Sequence, residues 1–400
     1  MVNNSDFFVV SITDYNAGGE GVARMCDGRV VFVRGAVRGE LCEIFLTSKQ
    51  EKICRGEISR ILEPSTHRIE PDCSVYSLCG GCDFRHITYD EELWAKLKRL
   101  NDALERIGGV SVRATEILTT GKINNYRNKA VFHIRQGSTN TRLKSVGNAN
   151  NSDTANAADV ANAAIIGFFR AGSHEVCSVK NCLLLRDELN AELSALWEKP
   201  PLSQSDVTLR VGSGGTKDHI EEILDGIIFR MSKTSFFQVN TEAALLLYQK
   251  AREFAGLSKD EVLVDIYCGV GTLTIFLGRD CSRALGIEID KDSIRDARKN
   301  AKDGGFSNID FICADASDFD ISSLHPDCVV VDPPRRGLSK MVVNNILMAK
   351  PQRVVYISCD PATLARDIKL FHGYELISVC AVDMFPRTAN VESCALLRRI

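Results

Sequence analysis

EVLVDIYCGVGTLTIFLG, residues 261–278, is the stretch that decides the fold. An apolar run rich in valine ends in Asp265, Tyr267 and Cys268, passes two glycines at 269 and 271, and continues as an apolar segment of helix length. That pattern is a strand, a tight turn and a helix. Four later runs repeat the opening: RALGIEID (283–290), NIDFICAD (308–315), DCVVVDPP (327–334) and RVVYISC (353–359), with polar–apolar segments of helix length between them. Strands alternating with helices in this way build an open, mostly parallel sheet covered on both faces, an α/β fold. The last runs, YELISVCAVDMF (374–385) and ESCALLRR (392–399), are closely joined and predict an antiparallel pair.

Outward from this sheet the pattern changes. Residues 1–62 read as short strands with glycine turns at 18, 19, 21, 28, 35 and 39, and RVVFVRGAVRGELCEIFL (29–46) has the strand–turn–strand form of a small OB-like β-barrel. Pro64 and Pro71 mark a linker. A helix is expected over 90–107. Thr88 and Glu91 resemble a capping box, Leu93, Leu97, Leu100, Leu104 and Ile107 make an apolar stripe, and Gly108 and Gly109 stop it. From 111 to about 230 the reading is strand-like again. It is interrupted at 137–164 by a segment of Asn, Ala and Ser, too poor in large apolar residues to bury a core and expected as a flexible loop between strands. Three domains follow: 1–62 the barrel, 63–230 a small central α+β domain with a cysteine cluster, and 231–400 the α/β domain, on which helix 90–107 is expected to pack.

At 400 residues the chain exceeds what one core usually supports. No apolar run is long enough to span a bilayer, and the start, MVNNSDFFVVSITDY, lacks the features of a signal peptide, so a cytoplasmic protein with no membrane partner is expected. Fifteen cysteines without a secretory signal point to metal binding or catalysis at a few of them. Cys42, Cys313, Cys328 and Cys380 lie in apolar runs and are expected as small core residues. The net charge of −3 points to no nucleic-acid partner, but between Arg113 and Lys144 seven basic residues face one acidic residue. Such a block can neutralise phosphates while the whole chain stays acidic.

In an open α/β sheet, ligands sit beyond the carboxyl ends of the strands. The first such end carries Asp265, Tyr267, Gly269, Gly271 and Thr272; with two of the three glycines of a dinucleotide fingerprint, a pyrophosphate cofactor is disfavoured. The second carries Glu288, 17 positions after Gly271, placed to bond both hydroxyls of a ribose. The third carries Asp315, which could accept from an adenine amino group or cap a helix. The joint spacing suits S-adenosylmethionine. The fourth end is Asp332 before Pro333 and Pro334, and the fifth is Cys359 before Asp360 and Pro361, a cysteine placed for thiolate chemistry.

With SFFQVN (235–240), DIYCGVGT, GIEID, DPPRRG, SCDPATLARD and DMFPRT followed by Glu392, residues 232–400 resemble the TRAM-containing, iron–sulfur class of RNA uridine-5 methyltransferases. The glycine-rich amino-terminal segment is similar to the TRAM barrel, and YRNK (126–129) to that family's central domain. The resemblance implies a class I Rossmann-like domain in which Gln238, Tyr267, Thr272, Glu288, Asp315 and Asp332 contact S-adenosylmethionine. It makes Cys359 the nucleophile and Glu392 the base. It also implies a [4Fe–4S] cluster on Cys73, Cys79, Cys82 and Cys182. The C-x5-C-x2-C spacing alone does not separate iron–sulfur from zinc, and Cys177 competes as fourth ligand. The family usually has His two residues before the Glu; here Asn390 stands there. The expected partner is RNA, in look the 23S ribosomal more than transfer RNA, and the expected state a monomer. The rivals are an amine- or cytosine-directed methyltransferase and an iron–sulfur redox enzyme. Arg335, where an amine enzyme would have an aromatic, and Ser358, where a cytosine enzyme would have proline, speak against the first.

Overall fold

The structure, a computed structural model, describes residues 7–136, 164–201, 203, 205–216, 219–233 and 235–400. Its contacts form two compact units, one of Met1–Glu70, Asp83–Ile123 and Gly212–Ile400, the other of Pro71–Cys82 and Asn124–Val211. The loop expected at 137–164, with Arg142 and Lys144, lies outside the described residues except for Ala164.

In the larger unit, β1 (Phe7–Ser11), β2 (Asp14–Tyr15), β3 (Gly21–Arg24), β4 (Val30–Arg34), β5 (Leu41–Lys49) and β6 (Ile53–Glu63) form one sheet in the order β1-β5-β6-β4-β3-β2. Its β4–β6 pair is parallel and its other pairs antiparallel. Alternation places Val31 and Val33 in its core with Val10, Ile12 and Ile44. Helix α1 (Tyr89–Ala103) runs into a π turn at Leu104–Gly108 and ends at Gly109, whose φ of +67° suits glycine. The expected capping box is absent. Thr88 makes no side-chain cap bond, and Glu91 instead accepts two hydrogen bonds from Arg38 at 2.8 and 2.7 Å. An ion pair with a guanidinium replaces the cap. Leu100 and Leu104 are buried, while Ile107, assigned to the same stripe, is 40% exposed.

A short strand, β7 (Ile117–Leu118), leads to the smaller unit. There β8 (Lys129–Gln136), β9 (Ala164–Phe169), β10 (Val176–Ser178) and β11 (Ser205–Arg210) form an antiparallel sheet in the order β10-β9-β8-β11. Helix α2 (Asp187–Glu198) was not foreseen in a region read as strands, although Leu189, Leu193 and Trp197 repeat every four residues. Its Leu189 and Leu193 pack with Phe132, Ile134 and Ile166.

Back in the larger unit, β12 (Gly214–Gly215), β13 (His219–Leu224) and β14 (Ile227–Ser232) form a small sheet before α3 (Thr241–Ala255). The alternation then runs as expected except between β17 and β18, where a single 3-10 turn, Ser322–Leu324, stands in place of a helix: β15 (Val262–Ile266), α4 (Thr272–Gly278), β16 (Arg283–Glu288), α5 (Lys291–Asp303), β17 (Ile309–Cys313), β18 (Cys328–Val331), α6 (Lys340–Ala349), β19 (Arg353–Ser358), α7 (Pro361–Ile368), β20 (Tyr374–Val382) and β21 (Glu392–Arg399). The eight-stranded sheet has the order β17-β16-β15-β18-β19-β21-β20-β7. Its first five strands are parallel. The final pair is antiparallel as expected, and β21 inserts between β19 and β20. That insertion brings the start of β21 to the edge where the parallel strands end. Cys42, Cys328 and Cys380 are buried, but Cys313 is exposed, because it ends the edge strand β17. α1 and the π turn pack on α7.

Candidate active site

The chain leaves β15 for β16 and β17 on one side and returns to β18 on the other. This reversal opens a cleft at the carboxyl ends of β15 and β18. The turn after β15 lines it. Tyr267 has φ +69°, a left-handed conformation that a non-glycine residue rarely adopts. Gly269 follows at φ +53° with open space where a side chain would begin, whereas a Cβ on Gly271 would meet Phe311 at 2.6 Å. The first glycine thus leaves room for a ligand and the second lets α4 pack against the sheet. Thr272 is the first residue of α4 and is buried.

Glu288, ending β16, accepts from the backbone N–H groups of Gly269 (3.2 Å), Ile289 (2.8 Å) and Asp290 (2.9 Å). It joins the glycine turn to the start of α5 and keeps lone pairs for a further donor. Asp315 accepts from the Ser317 hydroxyl and, at 2.8 Å, from the Ser317 N–H, and these two bonds hold its carboxyl below the usual range. Gln238 is buried in the SFFQVN segment, and that segment is pinned by Asn240, whose side chain caps α3 and donates to the Met384 carbonyl at 3.1 Å.

Ser358 pairs with Ser393 across β19 and β21, and the Ser393 hydroxyl donates to the Ser358 carbonyl at 3.1 Å. Cys359 follows β19 and Glu392 begins β21, so the same register brings them to one end of the pair, near enough for Glu392 to act on the Cys359 thiol. Asp332 is the first residue after the neighbouring strand β18. Its PPRRG loop is held by Asp367, which accepts from the Leu338 N–H at 2.8 Å and the Tyr356 hydroxyl at 2.7 Å. Asp360 caps α7 by accepting from the Thr363 N–H at 2.8 Å, with Pro361 at the first helical position.

The electrostatics of this group are one-sided. Burial pushes Asp332 up to about 7. Burial, reinforced by Asp332, pushes Glu392 up to about 8, with only Arg335 opposing. Burial and the same two carboxylates push the Cys359 thiol up to about 11, again against Arg335. The Glu392 carboxylate makes no hydrogen bond or ion pair among the described residues; Arg387, a candidate surface partner, turns to Glu92 instead. Asn390, where the family usually has His, donates to the Thr388 hydroxyl through its backbone and side-chain N–H groups.

Two neighbours of the site, Tyr248 and Arg99, were not read from the sequence, and Asp265 was read only as part of the first strand end. Asp265 is buried, pushed up to about 8 by burial, with one oxygen accepting from Thr274 and the other without a hydrogen-bond partner among the described residues. Tyr248 is buried with its phenol raised by burial and by Asp332, Asp265 and Glu392. Arg99 donates to the Ala389 carbonyl at 2.9 Å and pairs with Asp360 at 3.2 Å, tying α1 to the residues beside Cys359 and before Glu392. Asp265 is the last residue but one of β15, whereas Tyr248 and Arg99 lie on helix faces with no motif.

The cysteines Cys73, Cys79, Cys82 and Cys182 all belong to the smaller unit. The Cys79 thiol is pushed up to about 11, mainly by burial, with Cys177, Cys182 and Cys73 close enough to add to it. Among the described residues no three are gathered at metal-holding positions. The thiols therefore suit a metal or cluster in kind and neighbourhood but do not stand as a ready set. Cys177 is buried in the apolar core, and the other four are half-buried. The basic block is divided: Arg113 and Lys122 belong to the larger unit, Arg127, Lys129 and Arg135 to the smaller.

The parallel sheet, the glycine turn and the acid at the second strand end define a methyltransferase of the class that uses S-adenosylmethionine. A family model described as tRNA (Uracil-5-)-methyltransferase matches residues 216–322 and 316–400. An RNA methyltransferase of Caldanaerobacter subterraneus subsp. tengcongensis is 32% identical, covering 98% of each chain, and one of Gloeobacter violaceus is 32% identical, covering 98% of this chain and 96% of its own. The crystal structure of Pyrococcus abyssi tRNA (uracil-54, C5)-methyltransferase in complex with S-adenosyl-L-homocysteine superposes with a TM-score of 0.71 at 23% identity, covering 97% of this chain and 99% of that one, and so shares the fold. The chain belongs to this family of RNA methyltransferases.

Proposed function

We propose that the protein methylates carbon 5 of a uridine in RNA through a covalent bond between Cys359 and carbon 6. The observation that carries this reading is that Cys359, just past β19, and Glu392, first in β21, lie at one end of a paired register and within electrostatic reach of each other and of Asp332. The open position at Gly269, the Asp265 oxygen without a hydrogen-bond partner among the described residues and the carboxylate of Glu288 fit S-adenosylmethionine. Gln238, Tyr267, Thr272, Glu288, Asp315 and Asp332 would hold it. When bound it supplies an electrophilic methyl group on a sulfonium cation.

Carbon 5 of uracil is a weak nucleophile. The Cys359 thiol gives its proton to solvent as its sulfur adds to carbon 6, and the displaced electron pair forms an enolate whose carbon 5 takes the methyl group, leaving the donor as a neutral thioether. Glu392 then removes the carbon 5 proton, the carbon 5–carbon 6 double bond reforms and the thiolate leaves. The target base must leave its stack to reach the cleft.

Glu392→Gln tests the roles. It keeps the shape and removes the basicity, so a methylated enzyme–RNA adduct should accumulate. On a denaturing gel with a radioactive methyl donor it should migrate as a slow labelled band, and adding Cys359→Ala should abolish it. Normal turnover of Glu392→Gln without adduct removes the assignment of the base.

The ribosomal reading rests on the likeness of residues 1–62 and the cysteine cluster to the ribosomal branch; transfer RNA is the second reading, favoured by the description of the matching family. Mapping 5-methyluridine in both RNAs from cells with and without the gene separates them. The cluster proposal is [4Fe–4S] on Cys73, Cys79, Cys82 and Cys182, with about four irons per chain after anaerobic purification. Cys182→Ser should lose the iron and Cys177→Ser keep it; stoichiometric zinc without iron overturns the assignment.

A further inference from the structure

The sheet of the smaller unit has one face covered by α2 and another that the proposed chemistry does not use. Along β8, Ala130, Phe132 and Ile134 point into the core, so Lys129, Val131, His133 and Arg135 share the opposite face. Val131, at its centre, is 41% exposed.

On that face His133 lies stacked on Phe169 of β9, ring centroids 3.6 Å apart and planes within 12°. His174 meets the same Phe169 edge-on at 5.3 Å, and the Arg135 guanidinium stands 5.9 Å from its ring centre. Lys129 is the cross-strand partner of Arg210, two cations placed directly opposite each other. Like charges placed directly opposite on a sheet repel each other. Burial and the Arg210 charge hold the Lys129 ammonium below its usual range. Arg127 donates to the Lys129 carbonyl at 2.9 Å and brings a third cation to the same end. Across the four strands the one carboxylate is Asp206, already shared by His133 at 2.9 Å and Arg135 at 3.2 Å.

We propose that this face binds single-stranded RNA, with an unstacked base against the cluster of His133, Phe169 and His174 and backbone phosphates at Lys129, Arg210 and Arg135. The inference rests on RNA being the substrate and adds where RNA outside the target uridine is held. A duplex hides the faces of its bases, and phosphate contacts alone would not use an aromatic cluster. Aromatic rings beside a cationic groove are how single strands are gripped.

The test uses the full chain, a short uridine-rich single-stranded RNA and a matched duplex, with binding read by fluorescence anisotropy across salt concentrations. Phe169→Ala should weaken single-strand binding about tenfold and raise the KM for RNA with kcat held. Lys129→Gln with Arg210→Gln should flatten the salt slope by roughly 1.4, two phosphates' worth for a single strand. Phe169→Leu keeps an apolar side chain for folding and should still bind weakly, since it cannot stack. If wild type binds and methylates RNA while all three variants bind it as wild type does, the platform is wrong and the function stands. Wild type bound more tightly to duplex than to single strand overturns the platform as well. If wild type binds neither RNA, the reading of RNA as substrate fails with it.

Discussion

The larger unit buries two groups of charges, and they are built on opposite plans. In the first, Lys96 is fully buried and its ammonium donates to Glu92 at 2.7 Å, to Asp383 at 2.6 Å and to the Phe385 carbonyl at 3.0 Å. Tyr89 donates to Asp383 at 2.6 Å, and the Arg387 N–H donates to Glu92 at 2.7 Å. In the second, Asp332, Glu392 and Cys359 share the cleft with Arg335 as the opposing cation. The first group is neutralised internally and fixes the DMFPRT segment, including Arg387 at φ +69°. The second is left short of positive charge. A compensated group holds shape, whereas an uncompensated one is poised to receive a cation.

The largest expected effect comes from breaking the compensated group. Lys96→Met leaves two buried carboxylates facing each other without their common cation, and removing one partner of such a buried set costs about 3–5 kcal/mol. Urea denaturation should show that loss, together with a fall in methylation, because the freed segment leads to Glu392. A loss below about 1 kcal/mol, the value of an exposed pair, would show that the group is not held as described.

The uncompensated group should respond in the opposite sense. Glu392 has its carboxyl raised from 4.5 to about 8, so the folded chain binds its proton more tightly than the unfolded chain. The stability this provides is complete below about 4.5 and is lost as pH rises through about 8. Glu392→Gln should therefore stabilise the cofactor-free protein, on the order of 4 kcal/mol at pH 8 and little at pH 4. Thermal unfolding at the two pH values measures it; a gain independent of pH would place its origin in packing.

The alternation of strands and helices in residues 261–399 was legible because a parallel sheet buried on both faces writes itself as Val- and Ile-rich runs, and each run ends at the cleft. Asp332, Cys359 and Glu288 were found by that logic. The insertion of β21 was not legible, since adjacency of strands distant in sequence leaves no local mark, and it is this insertion that brings Glu392 to the same end of the sheet as Cys359. Helix α1 was read as an ordinary apolar stripe, and its Glu92 and Lys96 could not be separated from solvated charges without their partners Asp383 and Arg387. The failed capping box has the same cause, since Arg38, 53 residues away, takes Glu91.

The smallest expected effect joins the comparison to the chemistry. On the proposed assignment the methyl donor carries a positive sulfonium and the product S-adenosylhomocysteine does not. Three carboxyls near the cleft are raised by burial: Asp332 to about 7, Glu392 to about 8 and Asp265 to about 8. Around them stand Cys359, Tyr248 and Glu288, with Arg335 as the cation on the PPRRG loop. A cation entering this group favours the ionised carboxyls, so binding the donor should release part of a proton near pH 7, and binding the product should release less. By the same linkage, preference for donor over product should increase between pH 6 and pH 9, by about tenfold for each unit that donor binding lowers a carboxyl pKa. Titration calorimetry in two buffers of different ionisation enthalpy counts the protons directly. Equal release for both ligands would mean that the sulfonium is not what the cleft compensates, and the contrast with the Lys96 group would then be one of geometry alone.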